Sequence, residues 1–127
     1  MTTQALILII LLNICHWLGD YTHLSTKKML AAKRLGTDID QILIHATIHG
    51  WLMAIPLFFY VNNPMVWLLL SFLEIGTHFI IDLLKGRLNG WFPQLQSPAN
   101  KYHWYVFGAD QFLHQFVILL IAYFALT

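Results

Sequence analysis

The sequence predicts an all-α integral membrane protein, a four-transmembrane-helix bundle that forms one domain over residues 1–127. Of the 127 residues, 58% are hydrophobic and only 10% are charged, which is too little charge to cover a soluble domain. At roughly 1.5 Å per residue, an apolar segment of about 20 residues crosses a ~30 Å hydrocarbon layer. Four such segments are predicted as spans, at residues 4–24, 41–61, 65–84 and 104–126.

The sequences that flank the spans support this division. The first span has no basic stretch before it and no small-residue cleavage site after it, so it is predicted to be a retained helix, not a signal peptide. Residues 25–40 are predicted to contain a short basic amphipathic helix that ends at Gly36. Residues 62–64 allow only an antiparallel helix hairpin. The aromatic-rich loop at residues 85–103 is expected to lie among lipid headgroups.

The basic residues predict how the bundle is oriented. All seven Lys and Arg residues fall within two loops, residues 25–40 and 85–103, and none lies in the termini or in residues 62–64. Loops that carry Lys and Arg stay on the cytoplasmic side, so both loops are expected in the cytoplasm and both termini are expected to be non-cytoplasmic. The chain is therefore expected to be a multi-pass membrane protein whose two basic loops lie on the cytoplasmic side.

Composition also narrows the class of function. A net charge of +1 gives no basic surface for nucleic acid, and the single cysteine, Cys15, excludes an internal disulfide. The four spans make up about two thirds of the sequence and leave no separate soluble domain, so any chemistry is expected in or at the bilayer. The lipid bilayer is thus an expected partner, and the sequence leaves homo-oligomer formation open.

Each span carries two ionisable residues four positions apart, which places both on one helix face about 6 Å apart. Two such side chains can converge on the same ion, and His-x-x-x-His is a known zinc-ligand spacing. In the third span, Glu74 lies one turn before the pair. The four pairs are His16 with Asp20, His45 with His49, His78 with Asp82, and Asp110 with His114.

The pairs also lie at matching depths. Counted from the cytoplasmic end of each predicted span, one ring of residues lies roughly ten residues in, and a second ring lies about one turn nearer the cytoplasm. The deeper ring comprises His16, His49, Glu74 and His114. The shallower ring comprises Asp20, His45, His78 and Asp110, with Asp82 and His23 nearer the surface.

Ionisable side chains at this depth need partners, because each costs roughly 2.5–3.5 kcal/mol in the bilayer on insertion scales. The sequence places no Lys or Arg at the depth of the rings, so a metal ion or protons are expected to supply the positive charge. Imidazole and carboxylate ligands favour Zn²⁺, with Mn²⁺ or Fe²⁺ as alternatives. One or two ions are expected. Eight ligands are too many for one tetrahedral ion, so two ions with Asp20 or Asp110 as a bridge fit better. A proton-shared polar core without metal is the alternative.

Two further residues are candidates for catalysis. Glu74 is predicted to act as a general base or as the hydrogen-bond acceptor of a ligating histidine. Gln111 follows Asp110 directly and is predicted to orient substrate or ligands. His23 and His103 lie near the interface and are not assigned to the metal.

At these residues the chain resembles a family of small bacterial and phage membrane proteins catalogued as domain of unknown function 3307. The resemblance covers nearly the whole chain and implies four membrane helices with a polar site, but it implies no activity. The family often has Gln where this chain has His23, so His23 is not expected to be an obligatory ligand. A looser similarity of pattern links the chain to inner-membrane proteins described as metal-dependent hydrolases. The motifs that carry the family resemblance are HWLGDYTH at 16–23, ILIHATIH at 42–49, HFIIDLLK at 78–85 and DQFLH at 110–114.

Three functions are compatible with these patterns. The first is a metal-dependent hydrolase that acts from the cytoplasmic side on an anionic small molecule, either a lipid headgroup or a small phosphate ester. Lys85, Arg87 and Lys101 beside the mouth of the site would attract such an anion. The second is a channel or transporter for divalent metal or protons, although the outer halves of the four spans contain no ionisable residue. The third is a non-catalytic membrane interaction module.

Overall fold

The computed structural model describes residues 2–127, and all regular structure within them is helical. The helices are α1 (Thr3–Tyr21), α2 (Lys27–Leu35), α3 (Ile39–Tyr60), α4 (Pro64–Trp91) and α5 (Lys101–Leu126), with a short 3-10 helix at Pro93–Gln96. Of these, α1, α3, α4 and α5 are long and apolar enough to cross a membrane. The predicted four-helix membrane bundle is therefore confirmed, while its orientation stays a prediction.

The four long helices surround a common interior. Helix α1 packs against α3 and α5, and α4 packs against the same two helices. The interior half nearest the termini and residues 62–64 is apolar, and the side chains without solvent exposure include Leu8, Leu12, Met53, Leu57, Ile118 and Ile121. Large apolar side chains such as Phe59 and Leu69 also cover the outside of the bundle, as expected for helices that face lipid.

Helix α4 continues to Trp91, beyond the predicted end of the third span at Leu84. Helix α2 lies across this extension. Helix α2 ends at Gly36, as the sequence predicts, and Gly36 adopts the left-handed conformation with φ 62°. Its backbone approaches Gly86 so closely that a Cβ on Gly86 would lie 2.3 Å from Gly36 N. The two glycines thus hold α2 tightly against α4, over one end of the bundle.

Candidate metal centre

The predicted ligand pairs of all four spans meet inside the bundle, between its apolar half and α2. The exposed fraction is 0% for His45 and His49 and 1% for His78 and Asp82. Eight histidine and acidic side chains form three overlapping groups, and within each group all ligand atoms lie within 4.8 Å of one another. The groups are His16, His49, Glu74 and His78; Asp20, His45, His49 and His78; and His78, Asp82 and His114.

Asp20 connects α1 to the two histidines of α3. Its Oδ1 atom lies 3.0 Å from His45 Nε2 and 3.3 Å from His49 Nε2. Its Oδ2 atom lies 3.4 Å from His16 Nε2. Imidazole nitrogens thus lie near both carboxylate oxygens of Asp20, so Asp20 could contact two ions at once, as a bridging ligand does.

His78 lies at the centre of the cluster and belongs to all three groups. The centroid of its ring lies 3.7 Å from that of His49 and 4.3 Å from that of His114. Its Nδ1 atom lies 3.2 Å from Glu74 Oε1, and its Nε2 atom lies 3.3 Å from Asp82 Oδ2. A carboxylate beside Nδ1 holds the ring proton there and leaves the Nε2 lone pair free, as in carboxylate–histidine–metal triads.

The two predicted rings of ligands form one continuous cluster. His114, expected in the deeper ring, has its Nε2 atom 3.9 Å from Oδ1 of Asp82, which was expected nearer the surface. Side chains on a helix lean toward its N-terminus. Because α4 and α5 run in opposite directions, Asp82 and His114 lean toward each other and close the gap between the layers.

Asp110 lies at the edge of the cluster and belongs to none of the three groups found in residues 2–127. Its Oδ2 atom accepts hydrogen bonds from Lys85 Nζ at 2.7 Å and from Gln111 Nε2 at 3.1 Å. Its Oδ1 atom lies 3.6 Å from His114 Nδ1. The structure therefore places Asp110 beside the possible ligands, with Gln111 oriented toward Asp110.

A lysine reaches the cluster, so the expectation that no Lys or Arg lies at this depth was wrong. Lys33 Nζ lies 2.9 Å from Asp20 Oδ1, 3.1 Å from Asp82 Oδ2 and 2.9 Å from His45 Nε2. Lys33 lies one helical turn from the buried Met29, so both side chains share the face of α2 that packs on the bundle. In the sequence, this spacing was the indication that Lys33 lies on the same face as an apolar residue. Charge balance alone therefore does not require a metal.

The ammonium group of Lys33 supplies positive charge that was expected from a metal ion or protons. Burial lowers the pKa of Lys33, but the attraction of Asp82 and Asp20 outweighs it, and the net direction of the pKa is upward. Lys33 is therefore positively charged at neutral pH. Its Nζ atom lies between the carboxylates of Asp20 and Asp82, at 2.9 Å and 3.1 Å.

Unpartnered imidazole nitrogens provide separate support for metal binding. Among residues 2–127, neither ring nitrogen of His16 or His49 has a hydrogen-bonding partner, because the approach of His49 to Asp20 lacks hydrogen-bond geometry. A buried polar group without a partner costs about 1–3 kcal/mol, and coordination through its lone pair would offset that cost. A tetrahedral ion with bonds of about 2.1 Å holds its ligand atoms about 3.4 Å apart, which is close to the separations in this cluster.

A cavity of about 330 Å³ reaches the cluster from the side covered by α2. Its wall includes Asp20 from the cluster, Asp110 at the edge of the cluster, and Gln111. Of the three basic residues predicted beside the mouth, Lys85 lines the cavity, whereas Arg87 and Lys101 do not. The other cations that line it are Lys33 and Arg34, both from α2.

The two unassigned histidines lie outside the three ligand groups. His23 is exposed after the end of α1. His103 has its Nδ1 atom 2.7 Å from the carbonyl oxygen of Leu95, so it holds the 3-10 helix against the start of α5. The contact of His103 does not involve the cluster.

Gly19 provides the space that His49 occupies. A Cβ on Gly19 would lie 2.5 Å from His49 Cε1 and from His49 Nε2. We expect Gly19→Ala to displace the His49 ring and to lower the affinity for Zn²⁺ at least tenfold. This loss should occur although alanine favours helix by roughly 1 kcal/mol over glycine. The affinity is measured by competition with a chelating dye in mild detergent.

The matched control for this substitution is Gly76→Ala, because a Cβ on Gly76 would have no atom within 4 Å among residues 2–127. This variant should bind Zn²⁺ as the unmodified protein does. Equal affinities in Gly19→Ala and Gly76→Ala would show that the position of His49 does not matter for the metal.

Fold and site together define a class of protein, a small four-helix membrane bundle whose interior holds a cluster of histidines and carboxylates. The chain belongs to the family described as protein of unknown function DUF3307, whose family model matches residues 7–127. The matched region includes every residue of the cluster. No match was found among curated proteins or among solved structures.

Proposed function

We propose that this protein is a membrane-embedded, metal-dependent hydrolase that acts on a phosphate-bearing substrate from the cytoplasmic side. The proposal rests on the position of the ligand cluster at the inner end of a cavity lined by cations. The proposed cofactor is one or two divalent ions, Zn²⁺ in the first place and Mn²⁺ or Fe²⁺ as alternatives. The proposed location is the inner membrane of a bacterium.

A bound ion would lower the pKa of a water and polarise a phosphoryl oxygen. In hydrolysis, the water oxygen bonds to phosphorus, the ester P–O bond breaks, and the departing oxygen takes up a proton. We assign the transfer of that proton to Glu74, which is buried in the cluster with 2% exposure. Glu74 has no lysine partner among residues 2–127, so no ammonium group competes with the proton for its carboxylate. The other acids pair with lysines: Asp20 and Asp82 of the cluster with Lys33, and Asp110 at its edge with Lys85.

The cavity supplies the positive charge that a phosphate needs. Lys33, Arg34 and Lys85 all line it. Arg34 has no carboxylate partner in residues 2–127. Its Nε atom donates to the amide oxygen of Gln96 at 3.0 Å. Its guanidinium group is therefore available to an anion, and Arg binds phosphate well because its donors match two oxygens at once.

A channel or transporter receives less support from the structure. Beyond the cluster, the interior is filled by apolar side chains such as Leu12, Met53 and Ile118, each with 0% exposure. An ion that crossed this region would lose its hydration without gaining a polar partner. The cluster therefore fits the closed end of a binding pocket better than an ion-binding site along a permeation pathway.

Glu74→Gln tests the proposed hydrolase. The amide keeps the shape of the side chain and can still accept a hydrogen bond from His78, but it cannot take a proton from water. We expect metal content to persist and metal-dependent cleavage of phosphate esters to fall at least a hundredfold. Metal is measured by elemental analysis, and cleavage by phosphate release in a screen of soluble esters and lipids.

Asp40→Asn is the control, because it makes the same chemical change at an exposed position on the first turn of α3. It should leave both metal content and cleavage as they are in the unmodified protein. The same preparations are placed in vesicles for a fluorescent-ion flux measurement. Flux without cleavage would contradict the hydrolase and favour a channel, whereas silence in both assays would favour the interaction module.

A further inference from the structure

We infer that the phosphate-bearing substrate is a membrane phospholipid, which reaches the site sideways between α4 and α5. This inference rests on the proposed function and narrows its substrate from phosphate esters in general to lipids. It is carried by two neighbouring cavities of opposite character that share the same ion pair.

The first of the two is an apolar groove of about 470 Å³ on the outside of the bundle. Helices α4 and α5 form its walls, and Leu84 and Tyr105 in these walls are 60% and 66% exposed. In a membrane, exposed apolar side chains of this kind contact the acyl chains of lipids. We call this cavity the α4–α5 groove.

The second is the cation-lined cavity that reaches the ligand cluster. Lys85 and Asp110 line both this cavity and the α4–α5 groove. Their ion pair, with Lys85 Nζ 2.7 Å from Asp110 Oδ2, therefore lies between an apolar space that faces lipid and a polar space that faces the cluster. The side chain of Lys85 is 24% exposed, whereas that of Asp110 is 3% exposed, so an anion can approach this ion pair from the side of Lys85.

A phospholipid fits this pair of cavities better than a soluble phosphate ester does. Its phosphate can exchange places with Asp110 at Lys85 while an acyl chain stays in the groove. A soluble ester could use the polar cavity alone and would leave the apolar groove without a role. The polar cavity thus suits the phosphate of a phospholipid, and the adjacent apolar groove suits its acyl chain.

A second apolar groove, of about 330 Å³, lies between α3 and α4. It is lined by Thr47, Trp51 and Leu68 among others, and no charged residue lines it. This α3–α4 groove has no cation to receive a phosphate. It therefore offers a matched control for substitutions in the α4–α5 groove.

Ala109→Phe tests the route, because Ala109 is exposed and lines the α4–α5 groove, so a phenyl ring would fill the groove without entering the core. Two probes are compared, dioleoyl phosphatidate in mixed micelles and soluble glycerol 3-phosphate. We expect the ratio of phosphatidate cleavage to glycerol phosphate cleavage to fall at least tenfold. Native mass spectrometry should show a parallel loss of retained phosphatidate. Thr47→Phe in the α3–α4 groove should change neither quantity.

The result separates this inference from the proposed function. Cleavage of glycerol 3-phosphate with no loss of phosphatidate cleavage or retention in Ala109→Phe would overturn the lipid route and leave the hydrolase standing. Phosphatidate retained by the unmodified protein and lost in Ala109→Phe, without cleavage of either probe, would support the groove and count against the hydrolase. Equal effects of Ala109→Phe and Thr47→Phe would also overturn the route.

Discussion

Replacing His78 with alanine is expected to lower the affinity for Zn²⁺ at least a hundredfold. His78 is the one residue shared by all three ligand groups, and its ring lies against those of His49 and His114. Its loss therefore removes a ligand from every arrangement that the cluster offers. Competition with a chelating dye in detergent measures the affinity, and elemental analysis of protein purified without chelator measures the content. Removing His45 and His49 together takes ligands from two of the three groups and should lower the metal content.

His103→Ala is the control for these variants, because His103 contacts the backbone of Leu95 and lies outside the ligand groups. It should keep the metal. Circular dichroism establishes that each variant retains its helices, so that a loss of metal is not a loss of fold. If the unmodified protein is folded without metal and gains none from Zn²⁺, Mn²⁺ or Fe²⁺, the proton-shared polar core becomes the correct description.

Replacing Lys33 with methionine is expected to destabilise the metal-free protein strongly and to make Zn²⁺ an effective stabiliser. Removing one partner of a buried ion pair costs about 3–5 kcal/mol, because it leaves carboxylates without a counter-charge. Here the carboxylates are Asp20 and Asp82, which are 7% and 1% exposed. A divalent ion would restore the positive charge that they lose. The unfolding temperature should fall by on the order of 10 °C and recover with Zn²⁺.

Lys28→Met serves as the matched control, since Lys28 is on the same helix but is exposed and has no ion-pair partner in residues 2–127. Its effect on the free energy of unfolding should stay within about 0.5 kcal/mol. Tryptophan fluorescence during heating in detergent follows all of these proteins, with and without added Zn²⁺. Equal unfolding temperatures for the two variants would mean that Lys33 does not neutralise the cluster. Failure of Zn²⁺ to stabilise Lys33→Met would count against an ion at Asp20 and Asp82.

The amino-acid sequence by itself determined the membrane bundle and the meeting of its histidines and acids. Both follow from short-range periodicity, because the length of each apolar segment sets the span and the spacing of four residues sets the face. The depth of His16 in one span and of His49 in the next can be counted from the span ends. Since neighbouring spans are antiparallel and of similar length, residues at equal depth must come close together once their polar faces turn inward.

The tertiary structure alone decided which charges balance the cluster and where it opens. Lys33 lies in a segment predicted to be a short basic amphipathic helix, and its position beside the cluster depends on how α2 docks onto α4. That docking requires the backbones of Gly36 and Gly86 to touch. Likewise, Lys85 meets Asp110 only because α4 continues past the end of its apolar run. The spacing of Met29 and Lys33 indicates only that both lie on one face of α2. Which residues that face contacts depends on the packing of whole helices.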